Sequence, residues 1–284
     1  MHIVSWYQFK MDMCLNRLQS LLNRFFVKHN NILGTIILAL EGINVNLSGD
    51  KAKLDLLLDL LAYEGFDITT AKFHAIDKHP FHKIKILMKN EICALKNDKV
   101  LRKIHSIKGD KMHFCFDNSV KEVNAVKWNE VLADDSSLIL DIRNKYEHVK
   151  GVFTGKNVLQ PNVNNFHQTI EWLRSNRDLL KRYKNVGMYC TGGIRCDKLS
   201  FYLVEEGFDN LILLKGGIIK YINDMNTNQK SENIRNDGMI TKSDSKDNDS
   251  INNNSNKLTN PSSKKIGNWT GDCFVFDDRI VMKY

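Results

Sequence analysis

The second half of the chain alternates short apolar runs with stretches of helical period, and that alternation narrows its possible folds more than any other feature. "SLILDIR", "NVGMYC" and "NLILLKGG" are β-type runs. Around them stand "VNAVKWNEVLADD", "FHQTIEWLRSNRDLLKRY" and "CDKLSFYLVEEGF", which read as helices, the last stopped near Gly207. Strands alternating with helices imply a parallel, doubly wound α/β sheet. In such sheets ligands bind at the carboxyl ends of the strands. Cys190 stands at the end of "NVGMYC".

The first third has a different order. "HIVSWYQF" reads as a strand, and Leu15, Leu18, Leu22 and Phe25 then recur at helical spacing. "GTIILAL" reads as a buried strand. In "GINVNLSG", Ile43, Val45 and Leu47 alternate with polar residues, as a half-buried strand requires. "KAKLDLLLDLLAYEG" follows as an amphipathic helix ended by Gly65, and "FDITTAKFH" supplies a fourth strand. The order βαββαβ is the split-βαβ, ferredoxin-like arrangement, expected over residues 1–92. "HKIKILMK" looks like one more strand. The basic, mostly polar "KNDKVLRKIHSIKGDK" leads to the reading of 93–118 as a connector, with the α/β domain over 119–225. Residues 226–265 are rich in Asn, Ser, Lys and Asp, cannot bury enough apolar surface to offset their ordering entropy, and are expected to be disordered. The segment 266–284, with "NWTGDCFVFDDRIVMKY", is apolar and aromatic again and is expected to pack back on the body as a strand or hairpin.

Composition excludes several classes. No apolar stretch approaches the roughly 20 residues that cross a bilayer, and the N-terminus lacks a basic region followed by an apolar core. A cytoplasmic protein without membrane contact is expected. The net charge of +8 favours acidic partners such as nucleic acid, though charge bears on association and not on fold. The six cysteines fit neither a small disulfide framework nor paired zinc knuckles, and His79 and His82 have no partner at metal-ligand spacing. No metal site is expected.

The stretch "MYCTGGIRCDK" carries the chemistry. Thr191, Gly192, Gly193, Ile194 and Arg195 form a loop between Cys190 and the following helix. Glycines permit backbone conformations closed to other residues, so successive N–H groups can converge on one atom. The positive end of the helix dipole and the Arg195 guanidinium add to that field and favour thiolate over thiol. Four residues separate Cys190 from Arg195, one fewer than in phosphatase-type loops, and Tyr189 stands where those loops carry histidine. A shorter loop makes a tighter cradle, suited to a single sulfur and not to a tetrahedral oxyanion. Cys196 can resolve an oxidised Cys190 or simply pack. Asp141 and Arg143, at the end of a strand, are read as a structural ion pair that could also line the site. Glu41, Gly42 and Asn44 are read as a tight structural turn.

These motifs resemble the rhodaneses. "LDIRNKYEHVKGVFTGKNV", with Asp141 and Arg143, resembles the family's early Asp-x-Arg signature, and "LLKGGI", with Gly216 and Gly217, its late Gly-Gly motif. "YCTGGIRCDK" resembles the active-site loop of the tRNA uridine hydroxylase subfamily, and the likeness extends to "EGINVNLSG" and "CFVFDDRIVM" outside the rhodanese domain. The resemblance implies an N-terminal acylphosphatase-like domain followed by a rhodanese domain. It implies oxygen-dependent hydroxylation of C5 of the wobble uridine in tRNA, with Cys190 as the active-site cysteine, sometimes bearing a persulfide. Molecular oxygen is the co-substrate and no bound cofactor is expected. Lys96, Lys99, Arg102, Lys103, Lys108 and Lys111 are candidates for contacts with tRNA phosphates. The alternative is a generic sulfurtransferase acting on thiosulfate or a persulfide. A third reading is a binding module, which Cys190 in an intact loop disfavours.

Overall fold

The computed structural model describes residues 1–106, 119–237 and 265–282. Its first unit is built from β1 (His2–Phe9), α1 (Leu15–Lys28), β2 (Leu33–Ala39), β3 (Gly42–Gly49), α2 (Lys51–Tyr63), β4 (Lys72–Ala75) and β5 (Ile84–Met88). The strands lie in the order β4-β1-β3-β2-β5. The first four are the antiparallel ferredoxin-like set, and β5 extends the sheet by pairing parallel to β2. Period decides which face is which. Ile43, Val45 and Leu47 of β3 face the helices together with Leu18, Leu22 and Phe26 of α1 and Leu54, Leu58 and Leu61 of α2. Helix α2 starts where Asp50 accepts hydrogen bonds from the Ala52 and Lys53 N–H groups.

The chain continues through α3 (Asp98–Ser106), β6 (Val120–Val123), α4 (Ala125–Ala133), β7 (Ser137–Asp141), α5 (Lys145–His148), β8 (Gly151–Phe153) and β9 (Val158–Leu159). It then forms α6 (Thr169–Ser175), α7 (Arg177–Leu180), β10 (Asn185–Tyr189), α8 (Ile194–Glu205), β11 (Leu211–Leu214) and α9 (Gly217–Asp237). The order β6-β11-β10-β7-β9 makes a wholly parallel sheet. Alternate residues feed two layers. Leu138, Leu140, Val186, Met188, Leu211 and Leu213 face α6, α7 and α8. Ile139, Tyr189 and Leu214 face α4 and α9. Gly187 is glycine because Trp128 lies under it: an added Cβ would stand 2.6 Å from Ile139 Cδ1 and 3.2 Å from the indole.

The last described segment returns to this body. β12 (Lys265–Ile266) and β13 (Trp269–Gly271) form a hairpin, and β13 pairs antiparallel with β8. Trp269 is fully buried, its ring 5.0 Å from Phe153, which also meets Tyr189 at 4.9 Å and Tyr221 at 4.7 Å. β14 (Cys273–Phe274) and β15 (Val281–Met282) form a second hairpin.

Two expectations change. The connector is not merely polar: Leu95, Val100 and Ile104 are buried in the same core as β7 and β10, and α3 packs on α8. Val100 and Ile104 are one helical turn apart, a stripe that the surrounding lysines obscure. The boundary drawn after residue 225 falls inside α9, which runs to Asp237. Its first turns are anchored by buried Ile218, Tyr221 and Ile222, and each further helical residue adds one backbone hydrogen bond. Residues 238–264 of the low-complexity stretch, and 107–118 of the connector with Lys108 and Lys111, lie outside the described residues. No described helix is long and apolar enough to cross a membrane.

Candidate active site

Strand β10 ends at Tyr189, the loop turns at Gly193, and α8 begins at Ile194. Gly193 holds φ +108°, and a Cβ there would stand 2.8 Å from the Tyr7 hydroxyl. Gly192 needs no special backbone, and an added Cβ would meet nothing within 4 Å. Of the two glycines, only Gly193 is dictated by conformation. It lets its N–H turn back to donate to Cys190 Sγ at 3.1 Å. The late glycine pair closes the loop from the other side. Gly217, at φ +67°, approaches so closely that a Cβ would stand 2.5 Å from the Cys190 carbonyl oxygen. The Ile218 and Ile219 N–H groups at the start of α9 donate to the Cys190 and Thr191 carbonyls at 3.0 and 3.2 Å.

Cys190 is fully buried. Burial alone pushes its thiol up. Hydrogen bonding from the Cys196 thiol, the Arg195 guanidinium, and the Cys196 and Gly193 N–H groups outweigh it and hold the group down at about 5. The sulfur is therefore a thiolate at neutral pH, the nucleophilic form. Cys196 moves the opposite way: burial and its hydrogen bond to the Cys190 sulfur keep it a thiol. Arg195 is fixed by a bidentate pair with Glu147, at 2.6 and 2.9 Å, and reaches the Thr191 hydroxyl at 3.2 Å. Burial works against its charge, and Glu147 outweighs that. Glu147 is oriented by the Asn144 N–H at 3.0 Å.

The first unit reaches into the loop. Lys72 of β4 donates to the Gly192 and Gly216 carbonyls at 2.8 and 2.9 Å. Tyr7 of β1 donates to Asp197 Oδ2 at 2.7 Å, on the first turn of α8. The next residue, the fully buried Lys198, meets Glu41 at 2.8 and 2.9 Å and also pairs with Glu91. Glu41 thus does more than close a turn. From the C-terminal side, the Phe276 ring lies over the Arg195 guanidinium at 5.6 Å.

The structure brings Cys190, Thr191, Gly193, Arg195 and Cys196 together, with Gly192 open beside them and Ile194 packed inward. Asp141 and Arg143 are completely buried and bond to each other at 2.6 and 2.9 Å. Asp141 also accepts from the Tyr189 hydroxyl, and Arg143 donates to the Gly151 carbonyl. Arg143 lies over the Trp269 ring, so the pair ties β7 to the returning C-terminal segment. Lys96, Lys99 and Arg102 are exposed at and before α3, and Lys103 lies on the same helix. His79 meets Ser48, and His82 meets Asp278. Sequence reasoning missed Glu147 and Lys72 as partners of the loop, and the Tyr7–Asp197 and Lys198–Glu41 links that join the first unit to α8. Only Glu147 had a local signal, the Asn-x-x-Glu spacing of a helix start.

Residues 1–92 match the UPF0176 acylphosphatase like domain, and residues 125–224 match the rhodanese-like domain. The chain is 30% identical over 262 residues to the tRNA uridine(34) hydroxylase of Bartonella bacilliformis, an alignment spanning 90% of this chain and 68% of that protein. It is 31% identical over 289 residues to the tRNA uridine(34) hydroxylase of Pelagibacter ubique, spanning 99% and 75%. The two matched domains occur in the order the structure displays, and the likeness runs through both: the chain belongs to the tRNA uridine(34) hydroxylase family.

Proposed function

We propose that this protein hydroxylates C5 of the wobble uridine of tRNA, with Cys190 as nucleophile and molecular oxygen as co-substrate. The observation that carries the proposal is a buried thiolate in a cradle of N–H groups, thiol and guanidinium, in a member of this family. Uracil C5 is activated when a thiolate adds to C6, because the electron pair moves onto C5 and the C4 carbonyl. C5 then takes one oxygen atom from dioxygen, two electrons from a thiol donor reduce the other atom to water, and loss of the C5 proton and the thiolate restores the ring. A cradle sized for one sulfur atom suits this work, and the charge on Arg195 compensates the thiolate between steps. The exposed Lys96, Lys99 and Arg102 offer phosphate contacts, consistent with a net charge of +8.

Nucleoside mass spectrometry tests the proposal in a bacterial strain that lacks 5-hydroxyuridine. Wild-type protein is expected to restore the modification, with the added oxygen labelled from isotopic dioxygen, and Cys190→Ala is expected to restore none. A well-expressed wild type that restores nothing would favour the sulfurtransferase, which a thiosulfate:cyanide assay reads directly.

A further inference from the structure

The segment from Phe274 to Val281 is a loop held from several directions. Val275 N–H donates to the Ile280 carbonyl and Ile280 N–H to the Asp277 carbonyl, both at 2.9 Å. Arg279 grips the Asp277 carboxylate through Nε at 2.8 Å and Nη2 at 2.5 Å. Asp278 N–H donates to the Pro80 carbonyl at 3.1 Å, and the Asp278 carboxylate meets His82 at 3.1 Å, so the loop is also fastened to the first unit. Cys273 and Val275 are buried. Between these anchors Phe276 is left 63% exposed.

Folding does not require a phenyl ring there, since most of its surface stays in water and its burial contributes little. Its position is nonetheless well determined. The ring lies 5.6 Å over the guanidinium of Arg195, which Glu147 clamps, and Phe274 supports it edge-on at 5.1 Å. Tyr146 supports Phe274 in turn, at 5.3 Å. Arg195 also holds Thr191, the residue after Cys190. A rigid aromatic ring, open to solvent and backed by the guanidinium that borders the Cys190 loop, fits a flat, electron-poor π-system. A uridine must leave the anticodon stack to present its C5–C6 edge to a buried sulfur, and it loses stacking on the way.

We propose that Phe276 is the platform on which the target pyrimidine stacks when it is presented to Cys190. This rests on the tRNA hydroxylation reading. It makes Phe276 a substrate-binding residue contributed from outside the rhodanese domain, and it gives the "CFVFDDR" stretch a role: the acidic and basic residues hold the loop, and the second phenylalanine receives the base.

The test uses the full chain with an anticodon stem–loop RNA carrying 5-iodouridine at the wobble position. Irradiation is expected to cross-link that base to the peptide containing Phe276, and Phe276→Ala to abolish the cross-link. Hydroxylation of unmodified tRNA is measured in parallel. Phe276→Ala and Phe276→Leu are expected to lower kcat/KM by about 5- to 150-fold, the range that loss of one base–aromatic stack produces. Phe276→Trp is expected to stay within about threefold of wild type, because every aromatic offers a π-face. Melting temperatures of all three should match wild type, as befits an exposed side chain. The leucine variant separates stacking from a simple apolar cover over Arg195, which leucine would replace. Wild-type activity in Phe276→Leu, or a cross-link that maps elsewhere or does not form, overturns the proposal while leaving the hydroxylase reading intact. If the wild type makes no 5-hydroxyuridine, that reading falls, and the cross-link alone decides whether Phe276 stacks the base.

Discussion

Cys190 keeps a negative charge where burial by itself would forbid one, so the groups that permit it should be identifiable one at a time. Arg195 supplies the largest full positive charge that lowers Cys190, Lys72 also interacts with it, and Cys196 and Gly193 supply neutral donors. Arg195→Met should therefore raise the Cys190 titration midpoint from about 5 by about 1 to 3 pH units, the effect of removing a nearby opposite charge. Thiolate ultraviolet absorbance against a Cys190→Ser blank measures it, and an unmoved midpoint would show that the donors and Lys72 suffice without Arg195. The same group has a stability signature. Folded Cys190 ionises near 5, whereas an unfolded thiol ionises near 8.5. Between those values the unfolded chain binds the extra proton, so stability rises with pH across that window; the contribution is complete above about 8.5 and lost below about 5. The melting temperature of wild type minus that of Cys190→Ser is expected to grow as pH is raised through the window. Parallel curves would mean the charge is not stabilised in the native state. Cys190 and Arg195 were legible in the sequence because both lie within one loop of a strand–loop–helix unit. Their partner Glu147 was not, since it stands 48 positions before Arg195 and only the folded sheet bridges that distance.

At the level of elements, the site is the meeting of the α8 and α9 N-termini over the end of β10, and its glycines divide by what they do. Gly193→Ala would force an alanine to φ +108° against the Tyr7 hydroxyl, and Gly217→Ala would drive a methyl group into the Cys190 carbonyl at φ +67°. Each is expected to cost about 1–3 kcal/mol, the range for a non-glycine residue in such a conformation, with the clash adding to it. Gly192→Ala meets open space at an ordinary φ and should melt within about 0.5 kcal/mol of wild type. Chemical denaturation of the three variants checks the ranking, and equal losses at 192 and 193 would contradict the loop geometry. The sequence treated the two loop glycines alike because composition records a glycine without its φ. It did disclose the elements themselves: the period-2 alternation of Ile43, Val45 and Leu47, the turn spacing of the α2 leucines, and the continuous apolar runs of β7 and β10 each follow from which faces are buried. The short stripe of α3 and the reach of α9 stayed hidden, because local polarity outweighs two or three anchoring residues in any reading of a window.

Across the whole molecule, the two units share a core, with Phe9 and Ala39 of the first sheet packed among the residues under the second. The ion cluster of Lys198, Glu41 and Glu91 is buried at that junction, Lys198 and Glu41 completely, and its geometry sets where the first unit sits on α8. Tyr7 and Lys72 reach the Cys190 loop from the same unit, so the cluster also bears on the site. Attraction inside such a cluster offsets desolvation only while all three members are present. Lys198→Met leaves two carboxylates facing each other without a counter-charge, a loss expected to cost about 3–5 kcal/mol. Removing all three charges together, as Lys198→Met with Glu41→Gln and Glu91→Gln, should recover most of that loss, since no buried charge remains unpaired. The single variant should also gain stability as pH falls. Burial already raises the Glu41 carboxyl in the intact cluster against the pull of Lys198, and without Lys198 it must rise further above the unfolded value of about 4.3. A folded value above the unfolded one means the native state binds the proton more tightly, so the deficit of the single variant relative to wild type should be smallest near pH 4 and widen as pH rises through the folded value. Urea denaturation at several pH values measures this directly. A deficit that does not change with pH would show that Lys198 acts there through packing and not through charge, and the junction would then be an apolar contact with an ion cluster merely enclosed in it.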